Sequence, residues 1–408
     1  MSPSKNDCRV NVAIIGGGTA GAAAALALAK GGLSAQLIER SSGSVWKVGE
    51  SLPPAAKPLL CDLGVWEQFV KGPHLISYGN RSAWGARNLE TRDFIYGVDG
   101  HGWHLDRQQF DSLLASAAAA QGVRRRCRTR VTGWRRKPAK GWSLELTSKD
   151  ESSLLDADFV IDASGRAGWF ARQQGVRRER HDLLVGIVGL FNPIEAGPDQ
   201  DTLTMVESVR DGWWHASLLP DRRLAVMLVT DSDIARRQQA ASRNRWLSLL
   251  RETEHIDARV RASGYLPPDS LRTFNANSSR LSTAAGASWL AVGDAAIAYD
   301  PLSSQGIIMA MATAIAAAQA IQDSLGGNKN ERNDKERLAA YADWLMRSYE
   351  GYLVSRQSYY ALERRWPDAP FWNRRHAQAQ PHGSRAQAQP LAAPLLNEGP
   401  LQAQRGAA

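Results

Sequence analysis

The sequence predicts an α/β fold: a dinucleotide-binding domain that carries an inserted antiparallel β-sheet and is followed by C-terminal helices. Three observations lead there. Segment 10–40 reads strand, glycine turn, helix, strand, acid, in the order a dinucleotide fold requires. Two later apolar runs, 158–162 and 289–292, close on small-residue turns of the same kind. Between them lie short β-like runs of a different texture, separated by turn residues.

In the first unit the apolar run 10–15 leads directly into Gly16-x-Gly18-x-x-Gly21. Gly16 permits the tight turn, Gly18 lets the backbone approach a pyrophosphate, and Gly21 lets the helix pack close to the strand. Amides at the helix N-terminus then hold the phosphates. The Ala/Leu-rich helix stops at Gly31-Gly32, a second strand covers 35–38, and Glu39 stands at its end to accept ribose hydroxyls. A turn that merely joined strand to helix would leave Glu39 unexplained. The second site is the run 158–162 with Ala163-Ser164-Gly165; the third is 289–292 with Gly293-Asp294-Ala295-Ala296.

The runs 183–191, 202–209, 213–219 and 224–230 are divided by turns such as Asp211-Gly212 and Pro220-Asp221. Together with region 78–98 they predict one antiparallel sheet. Helical patterns cover 234–253, 306–322 and 333–365. From His376 the chain is Ala/Gln/Pro-rich and predicts a disordered tail. The expected domains are a discontinuous dinucleotide domain (10–75, 105–180 and 281–330) and a β-sheet domain (76–104 and 181–280). C-terminal helices (331–375) and the tail (376–408) follow.

At 408 residues the chain exceeds one simple core. Its 43% hydrophobic content is that of a globular protein. Residues 1–9 are polar and show no secretory signal. No apolar run predicts a membrane span: the longest, 307–321, is alanine-rich, contains Thr313 and Gln319, and reads as a buried helix. Cys8, Cys61 and Cys127 show no metal-type spacing and cannot all pair, which predicts a reducing, cytoplasmic setting and no metal site. The net charge of +9 is concentrated in Arg124, Arg125, Arg126, Arg128, Arg130, Arg135, Arg136 and Lys137, and again in Arg177, Arg178 and Arg180. These clusters read as a solvated strand edge and loop or, alternatively, as a docking face for an acidic partner protein. No recognition motif accompanies them, which argues against nucleic acid.

Three glycine-marked sites on one chain resemble the flavoprotein hydroxylase superfamily over residues 10–365. The resemblance implies a Rossmann-type, glutathione-reductase-like FAD-binding domain. It implies that Gly16, Gly18, Thr19, Ala20, Gly21, Glu39 and Arg40 hold the ADP half of FAD. Trp103-His104-Leu105-Asp106-Arg107, followed by Phe110-Asp111 and Leu114, is similar to the family's arginine segment, which would bring Arg107 to the phosphate–ribityl region. Asp162-Ala163-Ser164-Gly165-Arg166 resembles the middle motif. In the third, Asp294 would hold a ribityl hydroxyl, with Pro301, Gly306 and Ile307 at the flavin's pyrimidine edge. Glu50, Ser51 and Val131 complete the implied FAD set. A helix N-terminus suits the negative charge a reduced flavin carries at N1 and O2. Only one complete fingerprint is present, so electrons would come from transiently docked NAD(P)H or from a separate flavin reductase.

Within that superfamily, Gly49-Glu50-Ser51-Leu52-Pro53-Pro54, Leu63-Gly64 and Asp300-Pro301-Leu302-Ser303-Ser304-Gln305-Gly306 look like the branch of flavin-dependent tryptophan halogenases. Those enzymes carry an essential lysine after the Leu-Gly. The matching stretch from Ser77 to Trp84 has none, and Lys71 is the nearest. Their Trp-x-Trp-x-Ile-Pro segment does not fit the comparable stretch from Gly212 to Pro220, and Ser303 replaces a carboxylate some of them carry. Flavoprotein maturases of cysteine tryptophylquinone cofactors are a closer likeness, through the stretches from Tyr78 to Gly85 and Gly102 to Arg107 and through Arg365-Trp366-Pro367.

The resemblance thus implies an FAD-dependent monooxygenase that hydroxylates an electron-rich, indole-like ring through a flavin C4a-hydroperoxide. The substrate would be an aromatic small molecule or a tryptophan of a partner protein. A halogenase, and a dehydrogenase or oxidase of a small molecule, are the alternatives. Such chemistry needs an apolar lid, an aromatic pocket and proton management. Trp84, Trp213 and Trp214 are candidates for lid and pocket, and each taken singly reads first as a core or sheet-packing aromatic. Glu50, His104 and Trp214 are the candidate catalytic residues, with His215 a weaker relay. Alternatively Glu50 caps the helix near Pro53, and His104 is a satisfied core histidine.

Overall fold

The computed structural model describes residues 8–42, 46–138, 140–149, 151–194, 199–326 and 331–377. Its first sheet has eight strands. The central ones are parallel, in the order Trp289–Ala291, Ser152–Asp162, Cys8–Ile15, Ala35–Ile38 and Arg124–Arg126. Strands of a parallel sheet are buried on both faces and read as continuous apolar runs; Val12, Ala13, Ile14, Val160 and Ile161 are accordingly shielded from solvent. An antiparallel ribbon, Arg130–Arg136 and Trp142–Thr147, pairs with Ser152–Asp162. The helix Thr19–Lys30 packs against both Arg107–Ala120 and Gly306–Gly326, and their runs of alanine allow close approach.

The second sheet also has eight strands, ordered Tyr265–Leu266, Leu184–Pro193, Leu224–Asp231, Gly212–Leu218, Thr204–Val209, Gly79–Ala83 and Glu90–Asp93, with Leu271–Asn275 beside Leu184–Pro193. The region around Tyr78 therefore joins it, as expected. One pairing differs from the all-antiparallel expectation: Thr204–Val209 runs parallel to Gly79–Ala83. Those strands meet from distant parts of the chain, so no hairpin imposes opposite directions.

Side chains alternate across this sheet. On one face Trp214 packs with Trp246, Leu249 and Ile256; on the other Trp213 packs with Tyr360, Phe371 and Trp372. The helical stretch expected over 234–253 is broken into Ser232–Arg237 and Arg243–Leu250 by a turn in which Gln239 has φ 52°. The long helix Glu331–Tyr360 and the helix Pro370–Ala377 close the described chain. The tail expected from His376 lies, from residue 378 on, outside the described residues.

The helix Gly306–Gly326 also departs from expectation: its segment Gly306–Leu325 is long and apolar enough, by length and composition, to cross a membrane. Ile308, Met311, Ala314, Ala317 and Ile321 are nevertheless buried, in contact with the first helix's layer, which is the environment of a core helix.

Candidate functional site

The carboxyl ends of the parallel strands open on a cavity of about 420 Å³, the place where open α/β sheets bind ligands. Gly16 (φ 112°) makes the turn out of the first strand; a Cβ there would lie 2.3 Å from the Ala163 carbonyl oxygen. A Cβ on Gly21 would lie 1.8 Å from the Gly16 oxygen, so glycine alone allows helix and strand to pack. Gly18 is different. Nothing lies within 4 Å of the point a Cβ would occupy there, and Gly18 lines the cavity with Thr19 and Ala20.

Asp106 caps the helix Arg107–Ala120 by accepting from the Gln109 amide at 3.0 Å, which starts the helix with Arg107 at the cavity. The Arg107 Nη1 donates to the carbonyls of Val48 (2.8 Å) and Gly49 (2.9 Å), and its Nη2 to the Thr19 hydroxyl (3.1 Å). That hydroxyl donates to Asp111 Oδ1 at 2.6 Å, while Lys47 Nζ sits 2.7 Å from Asp111 Oδ2. Burial alone would raise the Asp111 carboxyl; Arg107 and Lys47 outweigh it and hold it below the usual carboxylate range. At the other end Arg166 places its Nε 3.4 Å from Asp294 and donates to the Tyr299 carbonyl at 3.0 Å.

The residues present fit FAD. The Gln305 amide oxygen and nitrogen, the Tyr299 hydroxyl and the Arg107 Nε are buried without a hydrogen-bond partner among the described residues, and all three residues line the cavity. Buried polar groups left unpaired are costly, so these atoms call for a polar occupant. Gly18 leaves backbone open at one end, and the N-terminus of the helix Gly306–Gly326 opens at the other.

A second cavity of about 190 Å³ adjoins the first and shares Ser51, His215, Pro301 and Ser304 with it. Trp103, Trp213, Phe94 and Tyr359 give it aromatic walls. Along the boundary runs a buried polar network. The Ser217 hydroxyl donates to Glu50 Oε1 at 2.5 Å, and His215 Nδ1 lies 3.7 Å from the same oxygen. His104 contacts the Leu218 carbonyl through Nδ1 (2.7 Å) and the Thr204 hydroxyl through Nε2 (2.9 Å). The Thr204 and Ser51 hydroxyls are 3.3 Å apart.

Burial pushes His104 down to about 4 despite the nearby Glu50 carboxylate, and lowers His215 as well. Burial favours a neutral Glu50, yet His215 and the Ser217 hydroxyl outweigh it and lower that carboxyl. A protonated His215 holding Glu50 ionised and a His215 kept neutral by burial cannot both apply at neutral pH. The geometry favours the neutral imidazole. At 3.7 Å the pair is too long for a charge-assisted hydrogen bond, whereas Ser217 at 2.5 Å directly satisfies the carboxylate.

Most of the expected site residues come together. Gly18, Thr19, Ala20, Glu50, Ser51, Arg107, Gly165, Asp294, Pro301, Gly306 and Ile307 line the first cavity, and His104 the second. Gly16, Gly21, Glu39, Arg40, Val131 and Ser164 do not line it. The Glu39 carboxylate accepts from the amides of Gly17 (2.6 Å) and Ser41 (2.7 Å), and the Ser164 hydroxyl donates to Asp162 at 2.6 Å. Trp214 requires correction as a catalytic candidate. It points to the far face of its sheet and packs edge-on against Trp246, because neighbours on a strand face opposite ways. His215, one residue on, takes the inward place. Arg178 also turns inward, donating to the Asp294 and Ala295 carbonyls, so the second arginine cluster is not wholly a solvated face. Thr204, Ser217 and Tyr299 join the site without any local motif that marks them in the sequence, whereas Gln305 lies inside the stretch Asp300 to Gly306.

A family model for tryptophan halogenases matches residues 11–75 and 83–393. A putative FAD-dependent oxidoreductase, LodB of Marinomonas mediterranea, is 31% identical over 372 residues, covering 89% of this chain and 96% of that protein. The tryptophan 2-halogenase of Chondromyces crocatus is 26% identical across 84% of this chain, which spans only 65% of that enzyme's length. Among solved structures, the flavin-dependent halogenase CmlS superimposes with a TM-score of 0.79 at 28% identity, over 91% of this chain and 68% of its own. The myxobacterial chondrochloren halogenase CndH reaches 0.80 at 22% identity over 90% and 86%, a likeness of fold.

Proposed function

The chain belongs to the tryptophan halogenase family of FAD-dependent oxidoreductases, and on that premise we propose that it is a monooxygenase hydroxylating an electron-rich aromatic ring. The observation that carries this reading is the aromatic second cavity, joined to the flavin-side cavity yet lined by no lysine among the described residues. Lys47 is the one lysine among the described residues on the first cavity, and its ammonium is engaged with Asp111. A halogenase would need a free amine between flavin and ring to hold the oxidised halide.

When bound and reduced, the flavin activates dioxygen for transfer to the ring. The chain's own residues orient and protect that chemistry. Arg107 and the amides after Gly18 would hold the phosphates, and Asp294 and the helix from Gly306 would hold the flavin end. Trp103, Trp213, Phe94 and Tyr359 flank the ring and exclude water. Glu50 and His104 manage protons at the boundary. Electrons arrive from NAD(P)H docking transiently or from a separate flavin reductase. A reducing, cytoplasmic setting accords with the exposed free thiols of Cys61 and Cys127. Glu50→Gln is expected to slow product formation at least about tenfold while FAD stays bound; an unchanged rate removes Glu50 from the mechanism.

A second reading concerns the substrate. Tyr78, Tyr96 and Val98 are exposed large apolar residues close in sequence to the lining residues Ser77 and Phe94. Exposed apolar side chains in that segment favour a tryptophan presented by a partner protein over a free small molecule. With indole and isotopically heavy dioxygen, the label should appear in the product. An oxidised product without label, or a brominated one in the presence of bromide, overturns the monooxygenase reading. Under the protein-substrate reading, Tyr78→Ser/Tyr96→Ser slows a tryptophan-bearing protein and leaves indole turnover unchanged.

A further inference from the structure

His104 has its two ring nitrogens assigned by their partners. The Leu218 carbonyl can only accept, so the nitrogen 2.7 Å away, Nδ1, carries the proton. In a neutral imidazole Nε2 is then an acceptor, and the Thr204 hydroxyl at 2.9 Å donates to it. Thr204 has only that one proton. At 3.3 Å the remaining hydrogen bond therefore runs from the Ser51 hydroxyl to Thr204. Each donor is committed in turn, and the direction of the whole chain follows from one backbone carbonyl.

The consequence falls on Ser51. Its proton points inward, so its free lone pairs are left for whatever occupies the two cavities it lines. It is an acceptor at the boundary where flavin and ring would meet. We infer that Ser51, Thr204 and His104 form a one-way proton relay that takes a proton from an N–H or O–H group of the aromatic substrate.

The step moves one proton and no electrons. The substrate's N–H or O–H bond breaks as Ser51 Oγ gains that proton. Ser51 passes its own proton to Thr204, Thr204 passes its proton to His104 Nε2, and the ring becomes an imidazolium. Removing that proton raises the ring's electron density as an electrophilic oxygen approaches, which is the assistance general-base catalysis provides. Burial works against that imidazolium, so the proton rests there only transiently. Glu50 attracts it and Arg259 acts against it, while Nδ1 remains anchored on the Leu218 carbonyl. Burial keeps His104 neutral, hence able to accept, at all pH values above about 4. Ser51 touches the substrate; Thr204 and His104 act through it and are positioning residues.

The inference rests on the monooxygenase reading, and its test separates the two. In FAD-loaded protein with indole as the probe, Thr204→Val should lower kcat at least about tenfold with KM little changed, and Thr204→Ser should restore most of it. Ser51→Ala breaks the same relay at its cavity end and serves where Thr204→Val does not fold. In histidine-selective nitrogen NMR, His104 should appear as the Nδ1–H tautomer, with its Nε2 signal displaced by Thr204→Val. A kcat within about twofold of the parent in both Thr204→Val and Ser51→Ala overturns the relay. So does a Thr204→Ser variant as impaired as Thr204→Val, or an Nε2–H tautomer. The nitrogen spectra need no turnover, so they judge the relay even where labelled oxygen is missing from the product and the monooxygenase reading falls.

Discussion

Gly21→Val is expected to yield protein with less than about a tenth of the parent's bound FAD and a lowered unfolding midpoint. A Cβ at this position would lie 1.8 Å from the Gly16 carbonyl oxygen, a backbone atom that cannot rotate away. The helix Thr19–Lys30 must separate from the strand Cys8–Ile15, which disturbs the turn and misplaces the amides that receive the phosphates. Gly18→Val isolates the second part of that effect. Its φ of −74° is ordinary, and nothing in the protein lies within 4 Å of the new Cβ, so the fold should hold while the side chain occupies the ligand's space. Flavin absorbance after gel filtration and the urea midpoint, measured on both variants, check this expectation. Full FAD occupancy in Gly21→Val, or equal loss of stability in the two, would falsify it.

Asp300→Ala is expected to lower stability by about 3–5 kcal/mol, the cost of stripping one partner from a buried ion pair. Asp300 is 1% exposed. Its Oδ2 accepts from Arg356 Nε (3.2 Å) and the Tyr360 hydroxyl (2.8 Å), and Oδ1 from the Leu302 amide (2.9 Å). Arg356 also reaches Asp182 at 3.0 Å. Burial raises the Asp300 carboxyl even with Arg356 beside it, which marks how little water reaches the cluster. The cluster ties the long helix Glu331–Tyr360 to the loop that starts the helix Gly306–Gly326. Loss of Asp300 should therefore weaken FAD binding together with stability. A urea midpoint that falls at constant m-value checks the energy; a fall of less than about 1 kcal/mol means the cluster relaxes around the gap.

Much of the lining of the first cavity was legible from local sequence. Gly16, Gly18 and Gly21 are spaced by the geometry of one turn, and Asp294 and Gly306 close or open neighbouring elements. Short-range constraints write themselves into short-range spacing. Trp214 shows where that stops. A Trp-Trp-His run marks a strand with aromatic character, but the strand's period of two leaves open which neighbour faces the cofactor. Only the position of the helix Arg243–Leu250, packing Trp246 onto Trp214, turned Trp214 away and His215 inward. The parallel pairing of Thr204–Val209 with Gly79–Ala83 likewise has no local signature.

The sequence by itself determined the α/β class, the dinucleotide turn and the family's cofactor, because a backbone that must approach a phosphate admits only glycine at fixed intervals. Tertiary structure alone decided the boundary between the two cavities. Ser51, His104, Thr204 and Ser217 lie on four separate segments, and it is the packing of the second sheet against the paired short strands Ser51–Leu52 and Gly102–His104 that sets their hydrogen bonds. A protonation pattern fixed by contacts between residues 100 or more apart in the chain cannot be spelled in any single motif.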